Sequence, residues 1–304
     1  MNKFIIASEV AEALSSQGPI VALESTIITH GLPRPKNLEV ALEIQETVRQ
    51  KGATPATIAM LDGDIYVGLS REALEEIAMR EDSVKASVRD LAILGSSHAY
   101  AGTTVAATSH IAALAGIRVF ATGGIGGVHR GSRESWDESA DLYALSRLPI
   151  AIICAGVKSI LDVPATLERL ETLGIGVVGF RTNSFPGFYL TDSGLFLEHR
   201  VEDAQEIAQI MRAQDSFSTG STALVIANPL SPDKAMALDL HTRLLAGGLA
   251  AVEAEHITGK DVTPFLLEYF HHESKGESLR ANIEIILSNA ALASEIAVEF
   301  ATGR

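Results

Sequence analysis

Short apolar runs alternate along the chain with longer segments whose apolar residues recur every three or four positions. Pro19-Ile-Val-Ala-Leu23, Ile117–Ala121, Ile150–Cys154, Ile175–Phe180 and Ala223–Ala227 are nearly unbroken apolar stretches of strand length, the pattern of parallel strands buried on both faces. Between them, Leu38, Ala41, Leu42, Ile44 and Val48 predict a helix that starts near Asn37 and is closed by Gly52. Further helices are predicted from Ser8 to Gly18, from Glu72 to Arg80 behind a Ser70 cap, and from Gly102 to Gly116. Others follow around Ser139 to Ser146, from Pro164 to Leu173, and from Ala204 to Met211. Ser159 is placed to cap a helix beginning near Ile160. Thr57–Leu61 and Ile65–Val67 flank Asp62-Gly63-Asp64 and predict a hairpin. Val84–Ser87 and Leu195–Val201 suggest shorter strands, and the chain after Asp233 is helical, with breaks near Gly259 and Lys275-Gly276. Strand alternating with helix implies an α/β fold, a mostly parallel (mixed) central sheet with helices on both faces. No linker, repeat or low-complexity stretch interrupts it, so a single domain over residues 1–304 is expected.

Composition narrows the partners. The chain has 304 residues, and 38 acidic against 24 basic side chains give it a net charge of −14. So acidic a surface argues against nucleic-acid polymers and anionic membranes, while leaving room for a small anion held by locally focused cations. Cys154 is the single cysteine, so neither an intrachain disulfide nor a cysteine-based zinc site is available. The N-terminal apolar run is too short for a signal peptide and no stretch looks apolar enough to span a bilayer, which makes a cytoplasmic protein the expectation.

Candidate chemistry gathers at the predicted strand ends. Lys158 lies just past Ile150–Cys154, where open α/β sheets place their ligands. Set among Cys, Ala, Gly and Val, it is expected to be partly desolvated, with its nucleophilic form accessible. A lysine snorkelling to solvent is the plainer alternative. Glu24 ends a strand without charge, which suits a general acid of raised pKa, although an ion pair would also explain it. Gly123-Gly-Ile-Gly-Gly127, followed by His129 and Arg130, could cradle a phosphate or be an ordinary turn. Asp137 and Asp141 would share a face if their segment were helical, and their oxygen ligands would suit Mg²⁺ or Mn²⁺ better than zinc. An acidic first helical turn accounts for them equally well. Lys85, near Arg89, could pair with a phosphate or simply be solvated. Thr182-Asn183 and Asn228 complete the set of strand ends.

Glu24-Ser-Thr-Ile-Ile-Thr-His-Gly31, Phe120-Ala-Thr-Gly-Gly-Ile-Gly-Gly-Val-His-Arg-Gly131, Cys154-Ala-Gly-Val-Lys-Ser-Ile-Leu-Asp162, Ala227-Asn-Pro229 and Thr263-Pro-Phe-Leu266 resemble the pseudouridine-5′-phosphate glycosidase family, also called indigoidine synthase A-like. The match runs in order from about Val21 to Ile296. The resemblance implies a three-layer α/β/α fold, a homotrimer, and cleavage of the C–C glycosidic bond of pseudouridine 5′-phosphate to uracil and ribose 5-phosphate with the help of Mn²⁺. By the same resemblance Lys158 matches a Schiff-base nucleophile, Glu24 the proton donor and Asp137 the metal position. Lys85, the backbone of Val105, and Ser139-Ala140-Asp141 match substrate contacts, and His129 and Asn282 fall on segments that line the site. The chain departs from the family pattern at Ser87-Val-Arg-Asp90, which lacks a paired basic residue, and at Ser96–Thr104. No fused sugar-kinase domain is expected after Arg304.

The implied chemistry suits these residues. A carbon leaving group is not readily expelled by the usual pair of carboxylates, whereas an amine that captures C1′ after ring opening splits one hard step into easier ones. Lys158 would be the amine, Glu24 the acid for the ring oxygen, and Lys85, His129 and Arg130 the cations for phosphate. Two rivals stand beside it. A dinucleotide-dependent oxidoreductase would use the Gly123–Gly127 loop but lacks an acidic ribose ligand about 20 residues on. A non-catalytic nucleotide-binding or assembly protein would show Lys158 exposed and remote from Glu24.

Overall fold

Each buried strand sends alternate residues to opposite sides, and two cores form as a result. In the computed structural model, which describes residues 4–257 and 262–303, β1 (Phe4–Ile6), β2 (Ile20–Leu23), β3 (Thr54–Leu61), β4 (Asp64–Val67), β5 (Val84–Ala86) and β6 (Ala101–Thr103) come first. β7 (Val119–Ala121), β8 (Ala151–Cys154), β9 (Gly176–Phe180), β10 (Ser184–Gly187), β11 (Leu190–Phe196), β12 (Arg200–Val201) and β13 (Leu224–Ala227) follow. Ala22, Phe120, Ile152, Val225 and Ala227 face one core, together with the helices Val105–Ala115, Val163–Thr172 and Val262–Glu273. Val21, Leu23, Val119, Ala121, Ile153 and Ile226 face the other, against the helices Lys36–Gln50, Ala204–Ser216 and Glu277–Thr302. The three-layer α/β/α arrangement follows from this two-residue alternation.

The sheet runs β1-β4-β3-β2-β7-β8-β13-β9-β12. From β3 through β2 to β12 every pairing is parallel, while β4 runs antiparallel to β3. β2 stops at Leu23 but β3 continues, and its vacated edge is taken by β6, antiparallel, which in turn carries β5. The sheet thus splits beyond the carboxyl end of β2, and the split is where the functional cavity forms. Buried hydroxyls seal the junction: Ser25 Oγ and Thr103 Oγ1 both donate to the carbonyl of Ile58, at 2.6 and 2.7 Å.

Several local expectations need correction. Ala101–Thr103 is a strand, not the opening of the following helix, because it completes the β3 edge. No helix begins at Ile160. Asp162 caps the helix Val163–Thr172, accepting from Ala165 N at 3.0 Å, and the hydroxyl of Ser159 is buried without a partner among the described residues. The segment Ser184–Phe196 is a hairpin outside the main sheet, turning directly after Pro186-Gly187. Asp137 precedes the helix Ala140–Leu145, so Asp137 and Asp141 do not share a helical face. The helix Glu277–Thr302 is long and apolar enough to cross a membrane by length and composition, yet much of it is buried inside the protein, where it serves as a core helix. The break at Lys275-Gly276 is present, both residues lying in the left-handed region. The break near Gly259 lies outside the described residues.

Candidate active site

A cavity of about 630 Å³ opens where the carboxyl ends of β2, β7 and β8 meet β5 and the start of the helix Val105–Ala115. Glu24, Lys85, Val105, His129, Asp137, Ser139, Ala140, Asp141 and Lys158 all line it. Of the other predicted residues, Asn282 does not line it, and its amide donates to Tyr189 Oη at 3.2 Å. Arg130 turns away to the carbonyl of Ile160 at 3.2 Å, so it is not part of the cationic wall. Asn228 and Thr182-Asn183 are also absent from the lining. β13 and β9 carry them past the split, and their polar groups are spent within the protein.

Glu24 is half-buried, keeping some surface toward the cavity while protein encloses its other sides. Desolvation raises its carboxyl above the ordinary range, and Asp141 adds to that. Lys158, the hydroxyl of Thr122 and Lys85 act in the opposite sense. Lys158 lies on the loop after β8, half-buried, within electrostatic reach of Glu24 and Lys85. Lys85 has its pKa lowered by desolvation and by the Lys158 cation, with Asp141 and Glu24 opposing the shift. It also keeps much of its surface open to the cavity, and water there moderates the effect. His30, beside Thr29 with its Nδ1 2.7 Å from the hydroxyl, is likewise lowered, mainly by desolvation and then by Lys85 and Arg34.

Asp141 answers the question about the glycine-rich loop. Its Oδ1 accepts from Ala106 N at 2.9 Å and its Oδ2 from Gly126 N at 2.8 Å, so one carboxylate ties the loop to a helix N-terminus. The glycines serve packing: a Cβ on Gly126 would sit 2.2 Å from Ser139 Oγ, and one on Gly127 would sit 2.3 Å from Thr166 Oγ1. A protein carboxylate, not a phosphate, occupies the cradle at Gly126. That closes the loop to a dinucleotide and disfavours the oxidoreductase reading, while the shared cavity of Lys158 and Glu24 disfavours a non-catalytic one.

Sequence reasoning missed Ser83 and His30 and gave Ser87 no role beyond a departure from the family pattern; all three line the cavity, as does Arg89, which it placed near Lys85. Ser83 and Ser87 lie just before and just after β5, each two residues from Lys85, and all three line the cavity. That spacing was visible in the sequence around Lys85. The hydroxyl of Ser83 is buried without a partner among the described residues, and Ser87 forms a capping box with Asp90, whose Oδ2 accepts from Ser87 N at 2.9 Å. Val105 N–H, at the helix N-terminus beside them, has no partner among the described residues.

The family model described as indigoidine synthase A like protein matches residues 9–299. A protein of Salinispora tropica named pseudouridine-5′-phosphate glycosidase is 58% identical over 290 residues, covering 95% of this chain and 90% of that protein. One of Frankia alni with the same name is 52% identical over 300 residues, covering 99% and 83%. Among solved structures, a prealnumycin C-glycosynthase in complex with ribulose 5-phosphate aligns with a TM-score of 0.91 at 33% identity, covering 99% of this chain and 97% of that one. An indigoidine synthase A-like protein from Thermotoga maritima aligns with a TM-score of 0.88 at 37% identity, covering 99% and 98%.

Proposed function

The chain belongs to the indigoidine synthase A-like family, and from that premise we propose how its cavity works. It is an enzyme that cleaves the C–C glycosidic bond of pseudouridine 5′-phosphate to uracil and ribose 5-phosphate. The observation that carries the mechanism is that an amine and a carboxyl of raised pKa, Lys158 and Glu24, face one cavity.

Glu24 gives its proton to the ribose ring oxygen as the C1′–O bond opens. The Lys158 amine bonds to C1′. The ammonium so formed loses a proton, its nitrogen lone pair then forms C1′=N while the bond from C1′ to uracil breaks, and the electron pair of that bond takes up a proton on the departing uracil carbon. Water adds to the iminium, releasing ribose 5-phosphate and the free amine. The phosphate is assigned to the wall formed by Ser83, Lys85, Ser87, Arg89 and Val105 N–H, whose hydroxyls and cations suit a dianion. His129, Ser139 and Ala140 face the remaining space, where the ribose and base would lie.

The family implies Mn²⁺. No group of three or more His, Cys, Asp or Glu side chains that could hold an ion is gathered among the described residues. Asp137 reaches the cavity with His129 Nδ1 3.6 Å from its Oδ2. Such a set fits an ion held by one carboxylate and completed by water and substrate oxygens, not a closed protein cage. When bound, the ion would supply positive charge beside the sugar phosphate. The homotrimer is proposed from the resemblance, and the cytoplasmic location from the short N-terminal apolar run.

Borohydride treatment in the presence of ribose 5-phosphate, followed by proteolysis and mass spectrometry, tests the mechanism. One reduced sugar phosphate per subunit on Lys158 is expected, with labelling and turnover lost in Lys158→Ala and in Lys158→Arg, whose guanidinium stays protonated. Label on another lysine, or an active Lys158→Ala enzyme, would rule the mechanism out.

A further inference from the structure

Thr122 is wholly buried immediately beyond β7, and its backbone and side chain join four elements. Its N–H donates to the carbonyl of Ile153 on β8 at 3.0 Å. Its carbonyl accepts from Asn289 Nδ2 at 2.7 Å, and its hydroxyl donates to Oε1 of Glu24, past the end of β2. Asn289, on the helix Glu277–Thr302, is itself fully buried, and its Oδ1 accepts from Asn228 Nδ2 at 2.9 Å. Asn228 follows β13 and shares that amide with Ser288 Oγ at 3.1 Å. A continuous run of hydrogen bonds therefore leads from the last helix and β13, through two buried amides, to the carboxyl at the cavity wall. Thr122, Asn228 and Asn289 are not part of that wall themselves.

We propose that Thr122, braced from behind by Asn289 and Asn228, is a positioning residue that fixes one oxygen of Glu24 and leaves the other to carry the transferable proton. The assignment rests on Glu24 acting as the acid. In a carboxylic acid the carbonyl oxygen accepts better than the hydroxyl oxygen, so with Thr122 donating to Oε1 the acid proton belongs on Oε2. The brace matters because a hydroxyl free to rotate would not hold a carboxyl in one orientation, whereas Thr122 is pinned through both backbone polar groups. Glu24 also faces Lys158 on the loop after β8, Lys85 on β5 and Asp141 on the helix Ala140–Leu145. All three charges stay in place when Thr122 is changed.

The test is Thr122→Val, which keeps the side-chain shape and removes the hydroxyl, with Thr122→Ser beside it. In Thr122→Val, kcat for pseudouridine 5′-phosphate should fall about ten- to a hundred-fold while KM changes little. The alkaline limb of the kcat profile should move to higher pH, since the lost bond favoured the ionised carboxyl. Thr122→Ser should restore both. Wild-type kcat and an unmoved limb in Thr122→Val overturn the proposal, as does a loss that Thr122→Ser shares in full. Glu24→Gln separates the two ideas: if it turns over normally, Glu24 is not the acid. If it is inactive while Thr122→Val is normal, only the positioning role falls.

Discussion

Glu24 combines a cost with a use. Its folded-state pKa is raised, so its contribution to stability is fully present below the unfolded carboxylate value and is lost as pH rises through the folded one. Glu24→Gln carries no such charge. Its melting temperature relative to wild type should climb as pH rises from about 4 toward neutrality, while turnover falls roughly 10²-fold or more. Thermal melts across that range check the first half, and melts whose difference stays flat with pH would refute it. Gly126 is the second informative residue. A methyl there would overlap Ser139 Oγ at 2.2 Å and Asp141 Oδ2 at 2.7 Å. Gly126→Ala should therefore cost about 1–3 kcal/mol in denaturant unfolding, and turnover should drop as Asp141 is pushed off Ala106 N.

At the scale of elements, the loop carrying Lys158 is held at both ends. Lys158 N donates to the carbonyl of Ile125 at 3.2 Å, and Leu161 N donates back to Lys158 O at 2.9 Å. Asp162 then starts the next helix. Asp162→Ala should cost about 1 kcal/mol by loss of the cap, measured by chemical denaturation. A larger effect on kcat than on stability would mean that the cap also sets the lysine. The helix Leu238–Ala254 has more apolar residues than one core-facing stripe needs. Leu240, Leu245, Leu249 and Val252 are partly buried against the chain's own core, with the helix Val262–Glu273 packed alongside, which leaves Leu238 as its large exposed apolar residue. The excess is absorbed within the chain and does not by itself argue for a subunit contact.

For the whole molecule, a charge of −14 surrounds a cavity in which Lys85, Arg89 and Lys158 are set among Glu24, Asp90, Asp137, Glu138 and Asp141. A few cations placed on one wall suit a small anion, while the acidic surface around them disfavours nucleic acid generally. Exhaustive chelation should remove activity, Mn²⁺ should restore it best, and Asp137→Ala should abolish the response; full activity after chelation would remove the metal from the proposal. Light scattering should give the mass of three subunits, and a monomer at micromolar concentration would refute the trimer.

Nearly unbroken apolar runs determined strands at Pro19–Leu23, Ile117–Ala121, Ile150–Cys154, Ile175–Phe180 and Ala223–Ala227, and β2, β7, β8, β9 and β13 fall within them, because strands covered on both faces favour apolar residues throughout. Family motifs marked Glu24 and Lys158, and strand-end position marked them independently. What the sequence could not settle was everything dependent on one strand outlasting its neighbour. The extra length of β3 brings in β6, splits the sheet, and thereby sends Glu24 and Lys158 into a cavity while Asn228 goes into the interior. Whether Gly126 N–H meets a phosphate or Asp141, whether Arg130 faces inward, and which wall Ser83 and Ser87 complete are likewise contacts between residues far apart in the chain. Local spacing carries no record of them, because a hydrogen-bond partner is chosen by proximity in space and not by order along the backbone.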